Sequence, residues 1–244
     1  MKQSLFEICQ NVPLTESVYK MVLRGDTQDI TSSGQFVNIK LDGFFLRRPI
    51  SVCDYDENTL TILYKVVGKG TKAMSQMQAG VLDVLTGLGN GYDETVSGEN
   101  PLLLGGGVGV PPMYKLAKNL IAQGKKVSVI LGFNTKDEVF YEEEFKALGA
   151  DVTVTTVDGS YGTKGFVTDV MKNKEYTHFY TCGPEPMLKA VYATSVTSGQ
   201  FSFEERMGCG FGACMGCSCK TVTGYKRICK DGPVLFKEEI LWEN

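Results

Sequence analysis

Near its C-terminal end the chain reads Cys209-Gly-Phe-Gly-Ala-Cys214-Met-Gly-Cys217, and Cys229 follows. C-x4-C-x2-C…C is the spacing of a [2Fe–2S] centre held by four thiolates. A segment wrapped around two irons cannot be an ordinary helix or strand. A protein that holds such a centre moves electrons one at a time. Gly208, Gly210, Gly212 and Gly216 interleave with the cysteines. Without a Cβ, these residues let backbone pass close to a cluster, take positive φ and turn N–H groups toward sulfur.

A zinc knuckle is the other reading of four cysteines. Zinc sites usually pair their ligands as two short C-x2–4-C units, whereas here three cysteines crowd one loop. A disulfide framework fits less well. The chain opens without a charged-then-apolar leader, so nothing points to an oxidising compartment. One cysteine of this region is surplus. Cys219, two residues after Cys217, would strain to share an iron with it. Cys229 precedes the turn signal Asp231-Gly232-Pro233, which can bring a thiolate back to the cluster. Cys209, Cys214, Cys217 and Cys229 are therefore the expected ligands and Cys219 a buried neighbour. Cys9 and Cys53 read as small core residues of strands.

The 244 residues suit two domains and a small appendage. Net charge is −3, which leaves no basic footprint for nucleic acid or an anionic membrane surface. No apolar run approaches the ~18–20 residues of a spanning helix. A soluble, cytoplasmic protein is expected. The one histidine, His178, stands in a strand-like run and reads as a packed strand residue, which excludes histidine triads and dense histidine metal sites.

Residues 1–97 carry short alternating apolar runs at Leu5 to Cys9, Val18 to Leu23, Phe36 to Leu41 and Leu60 to Val67, punctuated by Gly, Asp and Asn. They predict a small antiparallel β-barrel. Asp93 to Pro101 is polar and reads as a linker. Residues 98–198 alternate strand and helix and predict a parallel α/β domain. Its strands are expected at Leu102–Leu104, Val127–Leu131, Val152–Thr156 and Thr177–Thr181. Its helices are expected at Tyr114–Ala122, Glu142–Leu148, Val167–Lys172 and Pro186–Thr194. Residues 199–244 form the cysteine module. The fold class is thus β plus α/β: antiparallel barrel, parallel nucleotide-binding domain and small [2Fe–2S] module.

Gly105-Gly106-Gly107-Val108-Gly109-Val110-Pro111-Pro112 joins a strand to a helix. That context puts a pyrophosphate at a helix N-terminus, and the prolines suit a helix start, where no N–H is needed. The run departs from G-x-G-x-x-G, its third slot being Val110. After Val127–Leu131 only one lysine, Lys136, is offered to a 2′-phosphate, which favours NAD over NADP. In the barrel segment, Arg47-Arg48-Pro49-Ile50-Ser51 places an arginine able to fork onto phosphate three residues before a serine that can reach a flavin edge. Gly68-Lys69-Gly70-Thr71 offers a backbone nest for phosphate. Thr181-Cys182-Gly183-Pro184 closes a parallel strand at the end where ligands bind, so Cys182 is either a nicotinamide-facing thiol or a small packing residue.

Together these motifs resemble the ferredoxin–NADP reductase superfamily. With the tail from Glu204 to Cys229-Lys-Asp-Gly-Pro and the run Asp158-Gly-Ser-Tyr-Gly-Thr-Lys-Gly165, the whole chain resembles the iron–sulfur electron-transfer subunits of NAD-dependent (type B) dihydroorotate dehydrogenases. The resemblance implies FAD, one [2Fe–2S] cluster and NAD as substrate. It also implies an FMN-containing catalytic partner in a heterotetramer of two copies each, serving pyrimidine biosynthesis. Residue by residue, it puts Arg48, Pro49, Ile50 and Ser51 on the flavin motif, and Lys65, Val66, Val67, Gly70 and Thr71 on a second flavin segment. Gly105, Gly106, Gly107, Gly109, Cys182, Gly183 and Pro184 fall to the nucleotide, with Cys182 and Ser51 beside the reacting rings. Ile50 departs from the tyrosine common in ferredoxin reductases. Other subunits of the same build, of sulfhydrogenase or sulfite reductase type, and a zinc-stapled interaction module are the competing readings.

Overall fold

A computed structural model of the chain describes residues 1–242, so the last two positions of the expected cysteine module lie outside the described residues. Six strands close a barrel in the order β1-β2-β5-β4-β3-β6. They are β1 (Lys2–Pro13), β2 (Val18–Arg24), β3 (Phe36–Lys40), β4 (Arg48–Tyr55), β5 (Thr59–Lys65) and β6 (Val81–Leu88). Their inward side chains, among them Phe6, Ile8, Met21, Leu23, Val37, Ile39, Leu60 and Ile62, form one core. Period-two alternation is what places them there. The sequence left β6 unread as a strand and marked β4 only through Cys53. Arg48-Pro49 opens β4, and a proline at a strand's start is tolerated. Between β5 and β6 lies the short helix α1 (Lys69–Ser75).

Cys9 is exposed, contrary to the expectation of a core residue. Phe6 and Ile8 take the inward positions of β1, so strict alternation already points Cys9 outward, and the register shift between Ile8 and Gln10 makes Asn11 the next buried residue. Cys53 is fully buried.

The second sheet is seven-stranded, ordered β10-β9-β8-β7-β11-β12-β15. Its strands are β7 (Leu102–Gly106), β8 (Ser128–Phe133), β9 (Asp151–Thr156), β10 (Thr163–Lys164), β11 (Phe179–Cys182), β12 (Gly199–Ser202) and β15 (Val234–Phe236). All pairs are parallel except β12–β15. The helices are α2 (Pro111–Ala122), α3 (Glu142–Ala147), α4 (Val167–Met171) and α5 (Glu185–Thr194). Helix α2 starts on the proline pair and turns Met113, Leu116, Ala117 and Leu120 inward at helical spacing. Two strands of this sheet, β12 and β15, come from the segment read as the cysteine module. That module keeps only the cysteine loop and the hairpin β13 (Ser218–Thr221)–β14 (Gly224–Arg227) as its own.

The presumed linker is clamped. Glu94, in a 3₁₀ turn over Glu94–Val96, accepts hydrogen bonds from Ser33 (2.9 Å), Asn119 (2.8 Å) and Gln123 (2.8 Å). On the barrel, Asp54 pairs with Lys118 (2.8 Å) and Lys115 (3.5 Å) of α2, and Lys115 Nζ donates to the Tyr55 carbonyl. Val18, Cys53 and Leu63 of the barrel share a core with residues of the nucleotide sheet and its helices. His178 is buried one residue before β11, 3.3 Å from the Gln200 amide, and burial lowers its pKa.

Candidate functional site

A cavity of about 270 Å³ opens where barrel, sheet and cysteine segment meet. Arg48, Pro49, Ile50 and Ser51 line it from β4, Lys65 from β5, Val67 from the loop that follows and Thr71 from α1. Val108, Gly109 and Cys182 close it from the nucleotide side. The two arginines of the motif have different employment. Arg47 forks onto Asp83 at 2.9 and 3.1 Å, on the barrel wall. Arg48 donates to the backbone carbonyls of Leu46 and Arg47 and lies over the Phe44 ring, 4.9 Å from its centroid. No carboxylate among the described residues pairs with it. Its charge therefore stays available for a phosphate.

The cradle for that arginine is Gly70. A Cβ there would stand 2.1 Å from Arg48 Nε. The expected nest of Gly68 to Thr71 is the first turn of α1, and Thr71 Oγ1 accepts the N–H groups of Val67 (3.0 Å) and Gly68 (3.2 Å). Val66 turns toward the barrel core.

A second cavity, of about 520 Å³, lies over the carboxyl ends of the parallel strands. Gly106, Gly107, Val108 and Pro184 line it as the sequence led one to expect. Phe133, Asn134, Thr155 and Met187 line it too and were not singled out. Their signal was positional: each follows or ends a strand, or opens α5. Lys65 and Val108 face both cavities, so the two sites adjoin. The glycines of the loop divide their work. Gly107 takes φ +51°, while Gly105, Gly106 and Gly109 are packed. A Cβ on Gly106 would meet Met187 Sδ at 2.4 Å, and one on Gly105 would meet Val110 Cα at 2.9 Å. Cys182 faces the first cavity and Gly183 a third, so neither lines the strand-end cavity. Burial pushes the Cys182 thiol up to about 12, which keeps it protonated at neutral pH.

The four expected ligand cysteines stand as two pairs. Cys209 stands beside Cys214 and Cys217 beside Cys229, each pair joined by a backbone N–H on the other's sulfur. Cys209 Sγ accepts the N–H groups of Ala213 (3.2 Å) and Cys214 (3.4 Å), and Cys214 Sγ that of Gly216 (3.5 Å). Cys217 Sγ accepts the Cys229 N–H (3.4 Å). Burial opposes ionisation of Cys209, but its N–H donors prevail and bring it down to about 6. Burial and the adjacent Cys217 push Cys229 up to about 12.

Two pairs suit two irons with two thiolates each. Cys219 lies apart on β13, half-buried, and lines the third cavity.

Residues 204–241 match the iron-sulfur cluster binding domain of dihydroorotate dehydrogenase B, and residues 103–193 match the oxidoreductase NAD-binding domain. The chain is 47% identical to the dihydroorotate dehydrogenase B (NAD(+)) electron transfer subunit of Fusobacterium nucleatum, over 95% of each chain. It is 46% identical to that of Bacillus mycoides, over 98% of each. The chain belongs to the family of dihydroorotate dehydrogenase B electron transfer subunits. Among solved structures, it superposes on one described under NADH-dependent reduced ferredoxin-NADP oxidoreductase, with TM-score 0.88 and 31% identity, over 97% of this chain and 90% of the other. A ferredoxin NADP+ reductase from Neisseria gonorrhoeae shares the fold, at TM-score 0.68 and 18% identity over 80% of this chain and 90% of the other. The residues above sort by position into a β4 wall, a strand-end wall and a cysteine loop. Among the described residues no helix is long and apolar enough to cross a membrane.

Proposed function

We propose that this chain carries electrons from a partner subunit that oxidises dihydroorotate to NAD+, within pyrimidine biosynthesis. The observation that carries this reading is the meeting of three parts at one cavity. Flavin-motif residues of β4, the Gly109–Cys182 contact and Glu204, Glu205 and Met207, which lead into the cysteine loop, all line it. When bound, FAD supplies exchange between single electrons and hydride, and the [2Fe–2S] cluster supplies single-electron transfer.

The chain's own residues hold and orient. Arg48, with Gly70 as its cradle, binds the flavin pyrophosphate, while Pro49, Ile50 and Ser51 form the wall along which the ring lies. Lys65, Val67 and Thr71 complete that wall, and Val66 backs it from the barrel core. Gly105, Gly106, Gly107 and Gly109 shape the turn into α2 for NAD, with Gly183 and Pro184 opposite. Cys182 shapes the junction of the two sites as a neutral thiol, and with Ser51 it is the side chain nearest the reacting rings. Cys209, Cys214, Cys217 and Cys229 hold the cluster. Cys214 and Met215 are exposed there, and Phe211 is partly so. An electron donor therefore has access on this face, and the FMN-bearing catalytic subunit docks there, in a complex with two copies of each chain. We place the chain in the cytoplasm, a reducing compartment where cysteine thiolates stay available to a cluster.

The test is reconstitution. Purified together with an FMN-containing dihydroorotate-oxidising subunit, the chain should support dihydroorotate-dependent reduction of NAD+, and native mass should report the stoichiometry. A coloured, cluster-loaded complex that oxidises dihydroorotate but passes no electrons to NAD+ would refute the reading.

A further inference from the structure

We propose that Asn38 is a positioning residue: it fixes the cluster loop against the flavin-binding strand and so sets the spacing of the two redox sites. This rests on the reading above.

Asn38 lies in β3, 1% exposed. Its register partner is Pro49 of the flavin motif, with Phe36 opposite Ser51 and Ile39 opposite Arg48. Phe36, two residues away on the same face of β3, lines the flavin cavity. On its other side Asn38 reaches the cysteine loop, where Nδ2 donates to the carbonyl of the ligand Cys209 at 3.2 Å. Among the described residues this is the one hydrogen bond between barrel residues 1–97 and loop residues 204–229.

Two further observations show that the seat is built for this contact. Gly210 takes φ +79°, and a Cβ there would stand 2.3 Å from Asn38 Nδ2, so only glycine lets the amide in. Asn38 Oδ1 is buried without a donor. That is a destabilising arrangement, and an apolar side chain on this face would avoid it. The amide is useful here only through Nδ2. The strand is also held from behind, since Arg47 Nη1 donates to the Asn38 carbonyl at 3.3 Å while paired with Asp83. The wall of the flavin cavity thus connects to a cluster ligand through two residues of strand and one amide.

The test uses the full chain purified with FAD and cluster, as wild type, Asn38→Asp, Asn38→Ala and Gly210→Ala. Asn38→Asp keeps the shape and loses the donor. Iron, sulfide and FAD contents normalise each sample. NADH is then mixed in anaerobically, and bleaching of the cluster's visible absorbance is followed by stopped flow. The cluster's midpoint potential is taken by EPR titration. The proposal expects Asn38→Asp and Asn38→Ala to oxidise NADH with ferricyanide at wild-type rate. It expects cluster bleaching, per loaded cluster, to slow several-fold in all three variants, with a displaced potential in Asn38→Asp. Wild-type bleaching rates per cluster in the variants would overturn it, whatever happens to their melting temperature. A wild-type cluster that NADH never reduces would instead overturn the electron-transfer reading.

Discussion

Gly109 lies against the backbone of Cys182: a Cβ on the glycine would stand 2.2 Å from the Cys182 carbonyl oxygen and 2.4 Å from its carbon. The glycine-rich turn and the end of β11 are therefore one wall, and the flavin cavity is shaped by their contact. Backbone cannot retreat as a flexible side chain can. Gly109→Ala should destabilise the fold by about 1–3 kcal/mol, as overpacking does, and weaken NADH oxidation. Gly68→Ala, in open space with extended backbone, should stay within about 0.5 kcal/mol. Thermal melts of both variants check this.

The two neighbouring arginines should part company. Arg48→Ala should keep its fold by circular dichroism and lose FAD affinity about tenfold to a hundredfold, the worth of one charged contact. Arg47→Ala strands the part-buried Asp83. It should instead lower stability by roughly 1.5–3 kcal/mol with FAD affinity near wild type. Fluorescence titration of FAD alongside melts distinguishes them.

Serine at Cys209, Cys214, Cys217 or Cys229 should cost the cluster's visible absorbance, while Cys219→Ser should spare it. Absorption spectra and iron content of the five variants decide the ligand set. Retained absorbance in Cys229→Ser with bleaching in Cys219→Ser would reassign the fourth ligand.

NADH should be preferred to NADPH in kcat/KM. No arginine lines the strand-end cavity, and Glu138 does, which disfavours a 2′-phosphate. Steady-state kinetics with ferricyanide as acceptor measure it.

Stability should fall at alkaline pH. Burial raises Cys182 from 9.0 to about 12 in the fold. Its contribution is fully present below pH 9, where the unfolded thiol is also protonated, and is lost as pH rises from about 9 to 12. Melting temperature against pH should decline across that window, and less steeply in Cys182→Ala.

Much of this was legible from residue spacing. The cysteine loop, the strand–glycine–helix turn and the alternating barrel strands are local patterns, and each lies where its pattern put it. What escaped were relations between distant segments. Strands β12 and β15 are short and carry no period of their own; they are strands because β11 offers an edge to pair with. The polar run at 93–101 reads as linker until Glu94 meets Ser33, Asn119 and Gln123. Cys9 was legible after all: with Phe6 and Ile8 inward, alternation alone puts it outside. The resemblance singled out Arg48, but what employs Arg47 shows only in the fold, where Asp83, thirty-odd residues on, pairs with it and leaves Arg48 free.

The most direct test of electron transfer between a dihydroorotate-oxidising partner and NAD+ is the paired assay of one cluster-less variant that keeps its FAD, Cys214→Ser, in the purified complex. The account predicts that dihydroorotate-dependent NAD+ reduction is abolished while NADH oxidation by ferricyanide persists, because the flavin and nucleotide walls are intact. Equal loss in both assays, or dihydroorotate-dependent NAD+ reduction that survives without the cluster, would contradict it.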